Sequence, residues 1–166
     1  GIPMALIIYE QAPLWLALFT ELGYEVVFTE LSTRASYEKG QFSIPSDTIC
    51  YPAKMMHGHI EELIEQGIDL IFYPSLTYNI NEKMADNYYN CPIVAYYGET
   101  INGNMDSLAD IKFFYPYLSV NSERALTRTL HRNLKEIDPT IGKFELRKAV
   151  IAGFRAFEQY RDDLRQ

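Results

Sequence analysis

Met4-Ala5-Leu6-Ile7-Ile8-Tyr9 opens the chain's pattern; Leu14, Trp15, Leu18, Phe19 and Leu22 follow at helical spacing, and then Gly23 and Tyr24-Glu25-Val26-Val27-Phe28-Thr29. The first run suits a buried strand, the middle an amphipathic helix with a glycine stop, and the last a strand rich in Val, Phe and Thr. A β-α-β opening makes a parallel pair with a right-handed crossover the default. Working outward, Thr33–Lys39 reads as a short helix and Ala53–Gln66 as a clear one, stopped by Gly67. Met56, Ile60, Leu63 and Ile64 form the inner stripe of that helix. Asp69–Tyr73 is a third strand, Thr77–Asn90 a loop or short helix, and Pro92–Tyr97 a fourth strand. Lys112–Tyr117 makes a fifth, interrupted by Pro116. Ser122 caps a helix running to about Ile137, and Lys143–Arg165 forms the last one. The sum is a three-layer, Rossmann-like α/β sandwich of the doubly wound kind, with a mostly parallel sheet of four to five strands. Residues 1–120 form that domain. Residues 121–166 add C-terminal helices that pack on it or lead to a missing downstream domain.

Composition narrows the function. The 166 residues are 48% hydrophobic and 22% charged, which is globular, and suffice for one domain with its own core. A net charge of −7 argues against a nucleic-acid groove, which needs clustered Lys and Arg. No apolar run reaches the roughly 18–20 residues of a membrane helix. The start lacks the basic region and cleavage site of a signal peptide. Two cysteines are not a disulfide framework, so a cytoplasmic location is expected. A first residue that is glycine, running straight into a strand-like segment, reads as a domain of a longer polypeptide.

The reactive groups gather in Ser46-Asp47-Thr48-Ile49-Cys50-Tyr51-Pro52-Ala53-Lys54-Met55-Met56-His57-Gly58-His59-Ile60. Pro52 belongs in a first helical turn, so Cys50 faces unpaired N–H groups and the positive end of the helix dipole. That setting favours a thiolate, the form that attacks or binds metal. A free cysteine is also a common inert core residue. His57 and His59 lie about 200° apart round a helix and cannot chelate one ion together. His57 shares the face of Ala53, Ile60 and Ile64 and is expected as a hydrogen-bonded core residue, while His59 is expected in solvent. Zinc on Cys50 with one histidine is a minor alternative. Ligands gather at the carboxyl ends of parallel strands, so Glu10–Pro13, Pro74–Asn79 and Gly98–Thr100 should line one rim. Cys50, Ser75 and Glu99 would share it if the Cys50 turn reaches that edge. Cys91 precedes its expected strand and belongs at the opposite edge. The tyrosines at 88, 89, 96, 97, 115 and 117 read first as packing. No phosphate-binding glycine motif follows the first strand.

The wording of the chain carries further. Gly1-Ile2-Pro3, Tyr9-Glu10, Phe19-Thr20-Glu21-Leu22-Gly23, Ile49-Cys50-Tyr51-Pro52-Ala53-Lys54, His57-Gly58-His59, Ile71-Phe72-Tyr73-Pro74 and Tyr89-Asn90-Cys91-Pro92-Ile93-Val94 resemble the domain of CoA-substrate-specific enzyme activases. That domain is related to component D of 2-hydroxyacyl-CoA dehydratases and to benzoyl-CoA reductase subunits. The resemblance covers the chain to about residue 120 and is strongest from Ile49 to Val94. It implies an iron–sulfur cluster of the [4Fe-4S] type that passes low-potential electrons towards an acyl-CoA, with another domain or chain completing its ligands. By resemblance Cys50 matches a ligand position. The loop after Pro74, where the family often carries a second cysteine, here offers Ser75. Tyr51, Lys54, His57 and Glu99 would be supports. The implied partners are other domains of the same polypeptide or an ATP-dependent activator, with no nucleic acid and no membrane. The chain by itself would be a dehydratase-like or electron-transfer component. The alternative is a non-catalytic scaffold or binding module that keeps the fold without the cluster.

Overall fold

The computed structural model describes residues 1–166 and divides into two compact units. Unit 1 holds Gly1–Tyr9, Val27–Ser75 and Cys91–Pro116; unit 2 holds Glu10–Val26, Leu76–Asn90 and Tyr117–Gln166. The α-helices, in chain order, are α1 (Ile8–Glu21), α2 (Arg34–Gly40), α3 (Tyr51–Glu65), α4 (Pro92–Asn104), α5 (Glu123–Leu134) and α6 (Lys143–Leu164). The strands are β1 (Leu70–Phe72), β2 (Ser75–Tyr78), β3 (Lys112–Phe114) and β4 (Tyr117–Ser119).

The four-to-five-stranded sheet is corrected by the structure. Regular ladders pair only β1 with β3, in parallel, and β2 with β4. In unit 1 the place of the sheet is taken by a hydrogen-bonded row of short segments. Phe72 N–H bonds to Gly1 O at 2.8 Å, and Ile2 forms a parallel bridge with Phe28. The strand expected at Met4–Tyr9 is instead a turn, with Leu6 at φ 53°, leading into α1 at Ile8. Tyr24–Thr29 keeps only the Phe28 bridge. Pro92–Tyr97 is the largest correction, being the first half of α4. A six-residue apolar run fits a strand or a buried helix equally, and Pro92 at the first helical position decides for the helix.

The helices follow their caps. Thr33 accepts from Ser36 N–H and starts α2 in a capping box. Gly23 and Gly67, at φ 84° and 74°, end α1 and α3 in the left-handed region that glycine adopts without strain. In unit 1, Ala53, Met56, Ile60 and Leu63 of α3 pack with Ile71, Tyr73, Tyr97, Ile101 and Met105 in one core. Burial of side chains of this kind contributes about 1.5–3 kcal/mol each before ordering costs are counted. In unit 2, Leu14, Trp15 and Leu18 are fully buried on α1. A Cβ on Gly153 of α6 would stand 2.8 Å from Leu14 O, so the two helices meet at a glycine. Ser122 Oγ accepts from Ala125 N–H at 3.2 Å and caps α5. Ser122→Ala is expected to cost about 1 kcal/mol, read as a lower urea midpoint at unchanged slope.

Candidate functional site

Unit 1 holds two helices that each start just after a cysteine. Cys50 is the residue before α3 and Cys91 the residue before α4, both in extended backbone, followed by proline within two residues. Both thiols are free and exposed, and neither caps its helix through a hydrogen bond. Burial raises the Tyr73 hydroxyl pKa most, followed by the nearby Tyr97, Cys91 and Cys50. Burial, then Cys50, pushes Tyr97 up to about 12. Tyr73 therefore lies within electrostatic reach of both thiols, and Tyr97 of one. The expectation that placed Cys91 at the edge opposite Cys50 loses its basis. It rested on a strand where the chain forms α4, and a residue preceding a helix has a different address from one preceding a strand.

Behind Cys50 stands a buried hydrogen-bond chain. His57 is fully buried, with Nδ1 at 2.8 Å from Ser43 Oγ and Nε2 at 2.7 Å from Tyr97 Oη. Burial depresses its pKa to about 4, which keeps the ring neutral at physiological pH. This agrees with its reading as a hydrogen-bonded core histidine. His59 does not lie in solvent: it is fully buried, and its Nε2 meets Ser32 Oγ at 2.7 Å. The cause is the crossing of α2 over α3 at two glycines. A Cβ on Gly58 would fall 1.7 Å from Ser36 O, and one on Gly40 2.2 Å from Gly58 N. That backbone approach covers both flanking histidines. Helical spacing still keeps them on different partners.

The other candidates spread out. Ser75 is fully buried, its Oγ has no hydrogen-bond partner, and it lies 2.9 Å from where a Cβ on Gly98 of α4 would stand. It is sealed under α4, whereas Cys50 and Cys91 are open to solvent. Glu99 is exposed on α4 itself, not on a loop after a strand. Tyr51 is exposed and stacks on Tyr37 with ring centroids 5.5 Å apart. Lys54 Nζ donates to Asp47 O at 2.8 Å, tying α3 to the turn before Cys50. Tyr97 and Ser43 join the site unannounced by motif, while Tyr73 lies in the Ile71-Phe72-Tyr73-Pro74 stretch that carries the resemblance. The one available signal was Tyr97, Ile101 and Met105 at four-residue intervals, which marks a helical inner face.

Among known proteins, the chain matches over residues 1–166 the family described as CoA enzyme activase uncharacterised domain. The chain belongs to that family. No curated protein and no solved structure matches this CoA enzyme activase domain. None of its helices is long and apolar enough to cross a membrane. A cluster or metal can be tested against the groups present. No three His, Cys, Asp or Glu side chains come together as a metal-holding set. The domain offers two free thiols, fewer than a four-thiolate cluster or a tetrahedral zinc site takes.

Proposed function

We propose that the chain is a ligand-bearing domain of a dehydratase-related activation system, contributing Cys50 and Cys91 to an iron–sulfur cluster. The observation that carries this reading is that the domain holds two free, exposed thiols, each the residue before a helix that begins with proline in its first turn. A helix N-terminus favours negative charge on the residue that precedes it, as a thiolate ligand requires. Further ligands come from another domain or chain, and an ATP-dependent activator supplies the electron, since the sequence carries no phosphate-binding glycine loop. Ser75, buried beneath α4, would not ligate in this arrangement.

The second reading is a scaffold that keeps the fold without the cluster, favoured by the absence of a third ligand beside the two thiols. Anaerobic reconstitution with iron and sulfide, on the chain and on any longer polypeptide that contains it, separates the two. Stoichiometric iron that disappears with Cys50→Ala and with Cys91→Ala is the expected result. Absence of iron from every form of the protein would leave the scaffold reading standing.

A further inference from the structure

Unit 2 holds a cavity of about 310 Å³ lined by Glu10 of α1 and by the loop from Asn79 to Asn90. The loop closes as a hairpin: Asn79 N–H bonds to Tyr88 O and Asn90 N–H to Thr77 O, both at 3.0 Å, and Tyr78 bridges Tyr89 in antiparallel fashion. An ion pair between Glu82 and Arg161 ties it to α6. The volume lies at the small end of ligand pockets, roughly 300–1,000 Å³, which suits a metabolite of one residue's size rather than a dinucleotide.

Backbone bonds fix which way four asparagine amides are turned. A backbone N–H can only donate, so the side-chain atom that meets it is the carbonyl oxygen. Asn79 Oδ1 accepts from Ile80 N–H at 2.8 Å and from Gln11 Nε2 at 3.2 Å. Gln11 is fully buried, so the Asn79 amide is held from the protein side. Asn81 Oδ1 accepts from Lys83 N–H at 2.8 Å, and Asn87 Oδ1 from Tyr89 N–H at 3.3 Å. Each of the three keeps its Nδ2 group, with two protons, for a ligand. Asn90 is turned the other way: its Nδ2 donates to Leu76 O at 2.9 Å, and its Oδ1 is what remains.

The charges divide in the same manner. Glu82 is neutralised by Arg161, whereas Glu10 and Lys83, which also line the cavity, have no partner. The lining therefore offers a carboxylate and an amide oxygen to a donor, and an ammonium and three amide groups to an acceptor. Tyr88 and Tyr89 add aromatic surface, their rings 5.5 and 4.1 Å from that of Tyr78.

We propose that this cavity binds a free amino acid with an aromatic side chain. Its ammonium, which only donates, goes to Glu10 and Asn90 Oδ1. Its carboxylate, which only accepts, goes to Lys83 and the Nδ2 groups of Asn79, Asn81 and Asn87. A ligand with only one of these charges would leave either Glu10 or Lys83 without its counterpart. The site lies within unit 2 and does not rest on the reading of Cys50 and Cys91.

Isothermal titration calorimetry with L-phenylalanine tests the proposal. Saturable binding with a Kd below about 10 mM is expected. Hydrocinnamate and phenethylamine, each lacking one charge, should bind at least about tenfold more weakly. Glu10→Gln should raise the L-phenylalanine Kd about tenfold or more, and so should Asn79→Asp. The aspartate still accepts from Ile80 N–H and Gln11, so the turn survives while the amino group gives way to a carboxylate oxygen. Glu158→Gln, exposed on α6 and outside the cavity, should leave the constant unchanged. Absence of binding, equal binding of either single-charge analogue, or a constant unmoved in Glu10→Gln and Asn79→Asp would each overturn it.

Discussion

Gly58→Ala is expected to destabilise unit 1 by about 3 kcal/mol or more, at the upper end of overpacking costs. Its Cβ would fall 1.7 Å from Ser36 O, inside any van der Waals contact. The obstacle is backbone, which cannot rotate aside as a side chain could. Relief requires α2 to lift from α3, and that movement would break the Ser43 bond to His57 and the Ser32 bond to His59. Gly103→Ala, on α4 with nothing within 4 Å of the added carbon, is the control. It should stabilise by roughly 0.5–1 kcal/mol through helix propensity alone. Urea unfolding of both variants checks the pair. Similar midpoints would show that the α2–α3 crossing is not as tight as described.

Acid should weaken the protein through His57. Burial holds the folded pKa at about 4, against about 6.5 for an unperturbed imidazole. Between those values the unfolded chain binds the proton that the folded chain refuses, so stability rises with pH. The contribution is complete above about pH 6.5, is lost as pH falls through the window, and levels off below about pH 4. A shift of this size corresponds to about 3 kcal/mol. His59 acts in the same direction, its pKa lowered by burial and partly restored by Glu62. Unfolding midpoints at pH 7 and pH 4.5, for the protein and for His57→Gln, check the assignment. The difference between the two pH values should shrink in the variant, and an identical difference would remove His57 as its source.

The helices with both a periodic face and a cap were legible in the sequence. α3 and α5 fall close to their expected bounds because Pro52, Gly67 and Ser122 mark ends that local chemistry fixes, and α6 is found from its periodic face. Short apolar runs were not legible. Met4–Tyr9 and Pro92–Tyr97 are each six residues, a length at which burial satisfies either period. The second misreading spread to the site. With Pro92–Tyr97 taken as a strand, Cys91 goes to the far edge and Glu99 to the rim. With α4 in place, Cys91 starts a helix as Cys50 does, and Glu99 rides on the helix surface. The burial of His59 could not be read locally at all, because it depends on Gly40 and Gly58 meeting across two helices.

The claim at the centre of this account is that Cys50 and Cys91 form one site. Cadmium titration under reducing conditions, followed by the ultraviolet thiolate-to-metal charge-transfer band, tests it most directly. The account predicts one cadmium per chain, with a band sized for two thiolates that falls to about half in Cys91→Ala and in Cys50→Ala. Two cadmium ions bound independently, or a band at Cys50 untouched by the loss of Cys91, would contradict it.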